Sequence, residues 1–79
     1  MTIKEAIAQR ILQLCDENEI TLNKLSTTAG ITQSTLNDVV HGKSNNPTIK
    51  TIYLISSALE IELKDFFNSE LFQDLTFND

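Results

Sequence analysis

The stretch Thr21 to Gly42, TLNKLSTTAGITQSTLNDVVHG, leaves the chain few ways to fold. It reads as two short amphipathic helices joined by a tight turn at Gly30. Leu25 and Ala29 stand one helical turn apart on the first, and Leu36, Val39 and Val40 share a face on the second. Gly30 follows the last periodic residue of the first helix, where a left-handed residue belongs. Ser26 is small where the second helix must cross closely. Thr21 and Thr32 are candidate N-caps, each preceded by an isoleucine, Ile20 or Ile31. Each isoleucine has a leucine five residues on, Leu25 or Leu36, which is the spacing of a hydrophobic staple. Lys24 and Thr35 occupy the third helical positions, so neither start completes a capping box.

An apolar residue, a small residue, an alanine, a glycine and then spaced apolar residues follow one another as Leu25, Ser26, Ala29, Gly30, Ile31, Leu36 and Val39. The pattern resembles the helix-turn-helix of phage-repressor and Cro-like (XRE-type) regulators. The resemblance continues through Gly42, Pro47-Thr48, Thr51-Ile52, Ile55, Ala58-Leu59 and Phe66-Phe67, so it covers roughly residues 5 to 67. It implies an all-α fold, a compact five-helix lambda-repressor-like DNA-binding domain over residues 1–68. Residues 69–79 would form a short C-terminal extension.

The rest of the chain fits five helices. Ile3, Ile7, Ile11 and Leu14 form a stripe that predicts a helix from 3 to about 17, capped by Thr2. Pro47 bars helix before it, and Thr48 caps a fourth helix over 49–59 with a buried stripe of Ile49, Ile52, Ile55 and Leu59. Tyr53 points outward. Glu60 stands where a left-handed cap is expected, at a cost on the order of 1 kcal/mol for a non-glycine. A short fifth helix, Leu63 to about Asn68, gives Leu63, Phe66 and Phe67 to the core. In the extension, Ser69 and Glu70 can begin a further turn. Leu71, Phe72 and Leu75 would share a face with Phe77 nearby. They complete the monomer core, make a dimer contact or stay disordered.

At 79 residues the chain is one domain and buries only about 60% of its unfolded surface. Its 41% apolar content suits a globular protein. No apolar run reaches the roughly 18 residues of a membrane span, no secretory signal opens the chain, and a single cysteine fits a reducing cytoplasm. One histidine and one cysteine far apart, and only two glycines, give no basis for an enzyme, a metal site or a cofactor. Cys15 reads as packing or surface. The net charge of −5 is uneven. In residues 21–57, Lys24, Lys43 and Lys50 outweigh Asp38 to give +2, while residues 1–20 carry −2 and residues 58–79 carry −5. The local field at the docking face is what attracts phosphates. The acid is expected away from that face.

The resemblance places the second helix of the motif in the major groove, where its first residues meet base edges. Those are Thr32, Gln33, Ser34 and Thr35, followed by Asn37 and Asp38. Gln33 can pair with adenine N6 and N7, Ser34 with guanine N7 or a base amine, and Thr35 with a thymine methyl or a phosphate. Asp38 either accepts from cytosine N4 or is held off DNA by Arg10 or Lys43. Arg10 in this family often pairs with an acid of the recognition helix; otherwise it is solvated. Thr21 and the free N–H groups beside it face phosphates in such proteins. His41, Lys43, Ser44, Asn45 and Asn46 resemble a second phosphate clamp, or form an ordinary solvated turn. Several phage repressors brace the recognition glutamine with a glutamine at the first position of the preceding helix. Leu22 stands there, so that brace is expected to be missing.

The expected function is a sequence-specific DNA-binding regulator, a repressor acting as a homodimer on a pseudo-palindromic operator. The alternatives are an antitoxin-like module whose acidic, aromatic tail binds a protein partner, and a degenerate helix-turn-helix without DNA affinity.

Overall fold

The structure is a computed structural model and describes residues 1–43 and 46–77. Five helices run in order: α1 Ile3–Glu17, α2 Leu22–Ala29, α3 Gln33–Val40, α4 Ile49–Ala58 and α5 Leu63–Phe67, followed by a 3-10 turn at Glu70–Phe72. No helix of the described residues is long and apolar enough to cross a membrane.

Four helices start on threonine. The Thr2, Thr21, Thr32 and Thr48 hydroxyls each accept the backbone N–H three residues on, at 3.0 to 3.2 Å. Each satisfies one of the donors that a helix start leaves open. At α1 the cap is reciprocal, because Glu5 Oε1 accepts the Thr2 N–H at 2.8 Å. The Thr2 backbone bond, helped by its hydroxyl, holds the Glu5 carboxyl below the ordinary carboxylate value.

Helix ends are equally uniform. Glu19, Gly30, Gly42 and Glu60 all have positive φ, between 54° and 74°. The next N–H in each case reaches back five residues: Ile20 to Cys15, Ile31 to Ser26, Lys43 to Asp38 and Ile61 to Ser56, at 2.9 to 3.0 Å. This is the 6→1 bond that satisfies a stranded carbonyl. Three of the four links then continue with an isoleucine and a cap residue: Glu19-Ile20-Thr21, Gly30-Ile31-Thr32 and Glu60-Ile61-Glu62. The three isoleucines pack, half-buried, against the core. Each thus closes one helix and staples the next.

The core draws Ile7, Ile11, Leu14 and Cys15 from α1, Leu25 from α2, Leu36 and Val39 from α3, Ile52 and Ile55 from α4, Leu59 just beyond it, and Phe66 from α5. Two buried serines, Ser26 and Ser56, return their hydroxyl protons to carbonyls of their own helices, Asn23 at 2.8 Å and Ile52 at 2.9 Å. Burial pushes the Cys15 thiol above its ordinary value, so it is a packing group in its unreactive form. Ile49 departs from the expected stripe. It is 65% exposed, because the first turn of α4 stands clear of the core and burial begins at Ile52.

Arg10 departs further. It neither pairs with Asp38 nor lies free in solvent. Its Nε donates to the Phe66 carbonyl at 2.7 Å, its Nη2 to the Asp65 carbonyl at 2.8 Å and its Nη1 to Gln13 Oε1 at 2.7 Å. The turn after α5 gives the Asp65 carbonyl the Asn68 N–H at 3.3 Å and the Phe67 carbonyl the Ser69 N–H at 3.0 Å, and a guanidinium suits the negative end of a helix. Arg10 therefore ties α1 to the C-terminus of α5.

The extension folds back on α1. Ser69 caps the 3-10 turn through Leu71 N–H, and Thr76 N–H donates to the Met1 carbonyl at 3.1 Å beside a single parallel bridge between Thr2 and Thr76. The Phe72 ring meets Phe67 at 5.0 Å edge-on and Phe66 at 6.1 Å. Leu71 and Leu75 are half-buried, and Phe77 is fully exposed.

Two stability measurements test these devices. A Cβ at Gly30 would touch nothing within 4 Å, so the cost of Gly30→Val is conformational and is expected at about 1–2 kcal/mol. A drop of at least about 4 °C in the thermal midpoint should follow, whereas an unchanged midpoint would refute the left-handed turn. Arg10→Met keeps the apolar stem and removes the donors. It should lower the urea unfolding free energy by about 1–3 kcal/mol, from the lost bonds to the Asp65 and Phe66 carbonyls.

Candidate nucleic-acid interface

The first turns of α2 and α3 are joined by one side-chain pair. Gln33, the first residue of α3, donates from Nε2 to Oδ1 of Asn23, the second residue of α2. The brace expected to be missing at Leu22 is missing there, and the neighbouring Asn23 supplies a different contact to Gln33. Leu22 turns half-inward against the core, and the adjacent Asn23 faces out and supplies the acceptor. A hundred degrees of helix separate neighbouring residues, which is why one position fails and the next succeeds. Asn23 escaped the sequence reading because only the packing of α2 on α3 brings the two amides together.

Around this pair the candidate base-reading residues divide. Gln33 and Ser34 are exposed at the start of α3. Thr32 is occupied: its oxygen accepts the Thr35 N–H and its proton goes to Thr35 Oγ1 at 2.8 Å. The Thr35 hydroxyl keeps its own proton for an outside acceptor. Asn37 is exposed a turn later, and Asp38 is half-buried. Neither cation expected to restrain Asp38 does so. Arg10 is committed to α5, and the one ion pair among the described residues joins Lys64 to Glu62 at 3.4 Å on the surface. Lys43 meets Asp38 through the backbone alone, its N–H donating to the Asp38 carbonyl at 2.9 Å.

The flanks also take definite forms. At α2, the Thr21 oxygen is used by Lys24 N–H, while the Thr21 hydroxyl proton and the first N–H groups of α2 remain for an anion. Glu19 lies two residues away and is exposed, so the acid of the N-terminal segment is not all remote from this corner. After α3, His41 Nδ1–H donates to the Asn37 carbonyl at 2.8 Å. Its Nε2 can then donate to a phosphate only as the imidazolium. Lys43 and Asn46 are exposed. Ser44 and Asn45 lie outside the described residues. Of the tail residues named for a dimer contact, Phe72 meets Phe66 and Phe67 of its own chain, Leu71 and Leu75 are partly covered, and Phe77 is open.

Two capped helices crossing at a left-handed glycine, with polar residues at both starts, form a helix-turn-helix. Residues 10–70 match the Cro/C1-type HTH DNA-binding domain. The chain belongs to this family. Like its relatives in the Cro/C1 type, it is all-α, with the helix-turn-helix at α2 and α3. The crystal structure of the prophage Lp1 protein 11 superposes with a TM-score of 0.83 at 32% identity, covering 95% of this chain and 99% of that one. The N-terminal DNA binding domain of SinR from Bacillus subtilis gives 0.74 at 26% identity, over 84% and 96% of the two chains. The HTH-type transcriptional regulator SlrR of Bacillus subtilis (strain 168) is 29% identical over 62 residues. That alignment takes in 77% of this chain but 41% of SlrR, so this Cro/C1-type chain spans about two fifths of its curated relative's length.

Proposed function

We propose that this chain binds double-stranded DNA sequence-specifically as a homodimer on a pseudo-palindromic operator and represses transcription in the cytoplasm. The observation that carries the reading is the exposed first turn of α3, where Gln33 is held beside the start of α2 and Ser34 is free. Membership of the Cro/C1-type family and the likeness to a SinR DNA binding domain support it.

In this reading α3 enters the major groove. Gln33 takes adenine, Ser34 takes guanine N7 or a base amine, and Thr35 gives its proton to phosphate or its methyl to thymine. With no ion pair among the described residues to hold it off, Asp38 reads cytosine N4, and Asn37 supports it. Thr21 and the α2 amides grip one phosphate stretch, and His41, Lys43 and the loop to Asn46 grip the next. Few lysines act here, so affinity is modest and falls steeply with salt. Two copies about 34 Å apart meet successive major-groove faces, and Leu71, Leu75 and the open Phe77 supply the contact between them.

Selection of bound duplexes from a random pool, at fixed salt, tests the whole reading; a palindrome is expected. Gln33→Ala should cost about 1–3 kcal/mol on the selected duplex and relax one base position. Lys43→Ala should weaken all sequences alike and reduce the salt slope by about one. An unchanged motif for Gln33→Ala would sink its role. Phe77→Ser touches no packed residue of the monomer, so helical circular dichroism should persist. Light scattering should then show a monomer, with full-operator binding reduced and half-site binding retained; a variant that stays dimeric refutes the contact.

A further inference from the structure

We infer, resting on the phosphate contact proposed for the end of α3, that His41 couples DNA binding to proton uptake, so that the chain holds its duplex more tightly as the pH falls. His41 is the residue on which α3 ends, and its ring is exposed. Its Nδ1 lies 2.8 Å from the Asn37 carbonyl oxygen. A carbonyl oxygen only accepts, so Nδ1 carries a hydrogen in both charge states of the ring. In the neutral ring Nε2 is then a bare lone pair, and a phosphate oxygen brought against it is repelled. Protonation puts a hydrogen on Nε2 and turns the same contact into a charge-assisted hydrogen bond. A histidine free to exchange tautomers escapes this choice, because its neutral ring can donate from either nitrogen. The bond to Asn37 removes that freedom.

The surroundings leave the ring available. It lines a cleft of about 480 Å³ between the start of α1 and the end of α3, where the charged residues facing it are Lys4 and Glu5. These two oppose each other in sign. The Glu5 carboxylate is taken up by the Thr2 N–H at 2.8 Å and the Thr2 hydroxyl at 3.1 Å. Those bonds hold its carboxyl below the ordinary value, so it stays an anion wherever an imidazole titrates. The helix α2, also packed on α3, carries Lys24 as its one titratable group, and Lys24 does not line the cleft. On its own segment His41 has Asp38 before it and Lys43 after it. The one ion pair among the described residues joins Lys64 to Glu62, so no carboxylate there pairs with the ring. The carbonyls at the end of a helix favour a cation. The Nε2 hydrogen of the imidazolium is thus left for an anion from outside, and the DNA backbone brings one.

The test measures the affinity of the full chain for its selected duplex at about pH 5.5 and about pH 8.5, either side of the range in which an imidazole titrates. Ionic strength is fixed and the buffer contains no phosphate. Wild-type affinity should fall at least about tenfold per bound protomer between the two, the worth of one hydrogen bond to a charged group. His41→Gln donates an amide hydrogen at either pH, so its affinity should not change. His41→Arg is a cation throughout. It should match the wild type at the lower pH and exceed it about tenfold at the higher, a comparison within one pH that any effect of pH on the fold does not touch. Nitrogen-15 spectra of the ring should show hydrogen on Nδ1 in the neutral free protein, and the duplex should move the ring's titration to higher pH. Equal wild-type affinity at the two pH values, a His41→Gln variant that keeps the dependence, or a neutral ring protonated on Nε2 overturns the inference and leaves the DNA-binding reading standing. A wild type that binds no duplex at either pH overturns both.

Discussion

Three residues, Gly30, Ile31 and Thr32, set how α3 leaves α2, and the candidate interface depends on that departure. Gly30 turns the chain through a left-handed conformation that places the Ile31 N–H on the Ser26 carbonyl at 3.0 Å. Ile31 buries part of its side chain against the core, and Thr32 at once caps the next helix. No residue of the link is free to drift, since each is fixed by a hydrogen bond, by packing or by both. The same device recurs at Glu19-Ile20-Thr21 and at Glu60-Ile61-Glu62. There glutamate accepts a conformation that glycine would take with less strain.

A chain this short has little apolar surface to spend, and it economises by giving single residues two tasks. The isoleucines of the links end one helix and begin another. Arg10 bonds the Asp65 and Phe66 carbonyls and also fastens α5 to α1. Phe72 brings the extension onto Phe66 and Phe67, and the Thr76 N–H reaches the Met1 carbonyl. Helices of eight residues such as α2 and α3 are marginal in isolation and owe their persistence to these tertiary ties.

The polar chemistry of the interface follows from what the fold leaves unspent. Thr32 is consumed by capping, and the Thr35 hydroxyl is half-used. Asp38 has no ion pair among the described residues, because the cation expected near it serves α5. Gln33 and Ser34 are exposed, and Gln33 Nε2 donates to Asn23 Oδ1. A positive middle segment in an acidic chain makes the attraction to an anion local, and Glu19 beside Thr21 tempers it further.

The sequence by itself determined the five helices, the threonine caps of four of them, the left-handed Gly30 and Glu60 and the family. All of these rest on interactions within about five residues, where periodicity and residue type decide the outcome. The resemblance also pointed to the start of α3, where Gln33 and Ser34 are exposed. The sequence placed Ile49 in the core wrongly, since a helical stripe says which side is apolar and not how far along the helix its neighbours reach. Arg10 on Phe66, Asn23 on Gln33 and Thr76 on Met1 were decided by tertiary structure alone. Each joins elements whose relative placement comes from the packing of the whole core. A polar side chain on a helix surface finds its partner only when that packing brings one within reach.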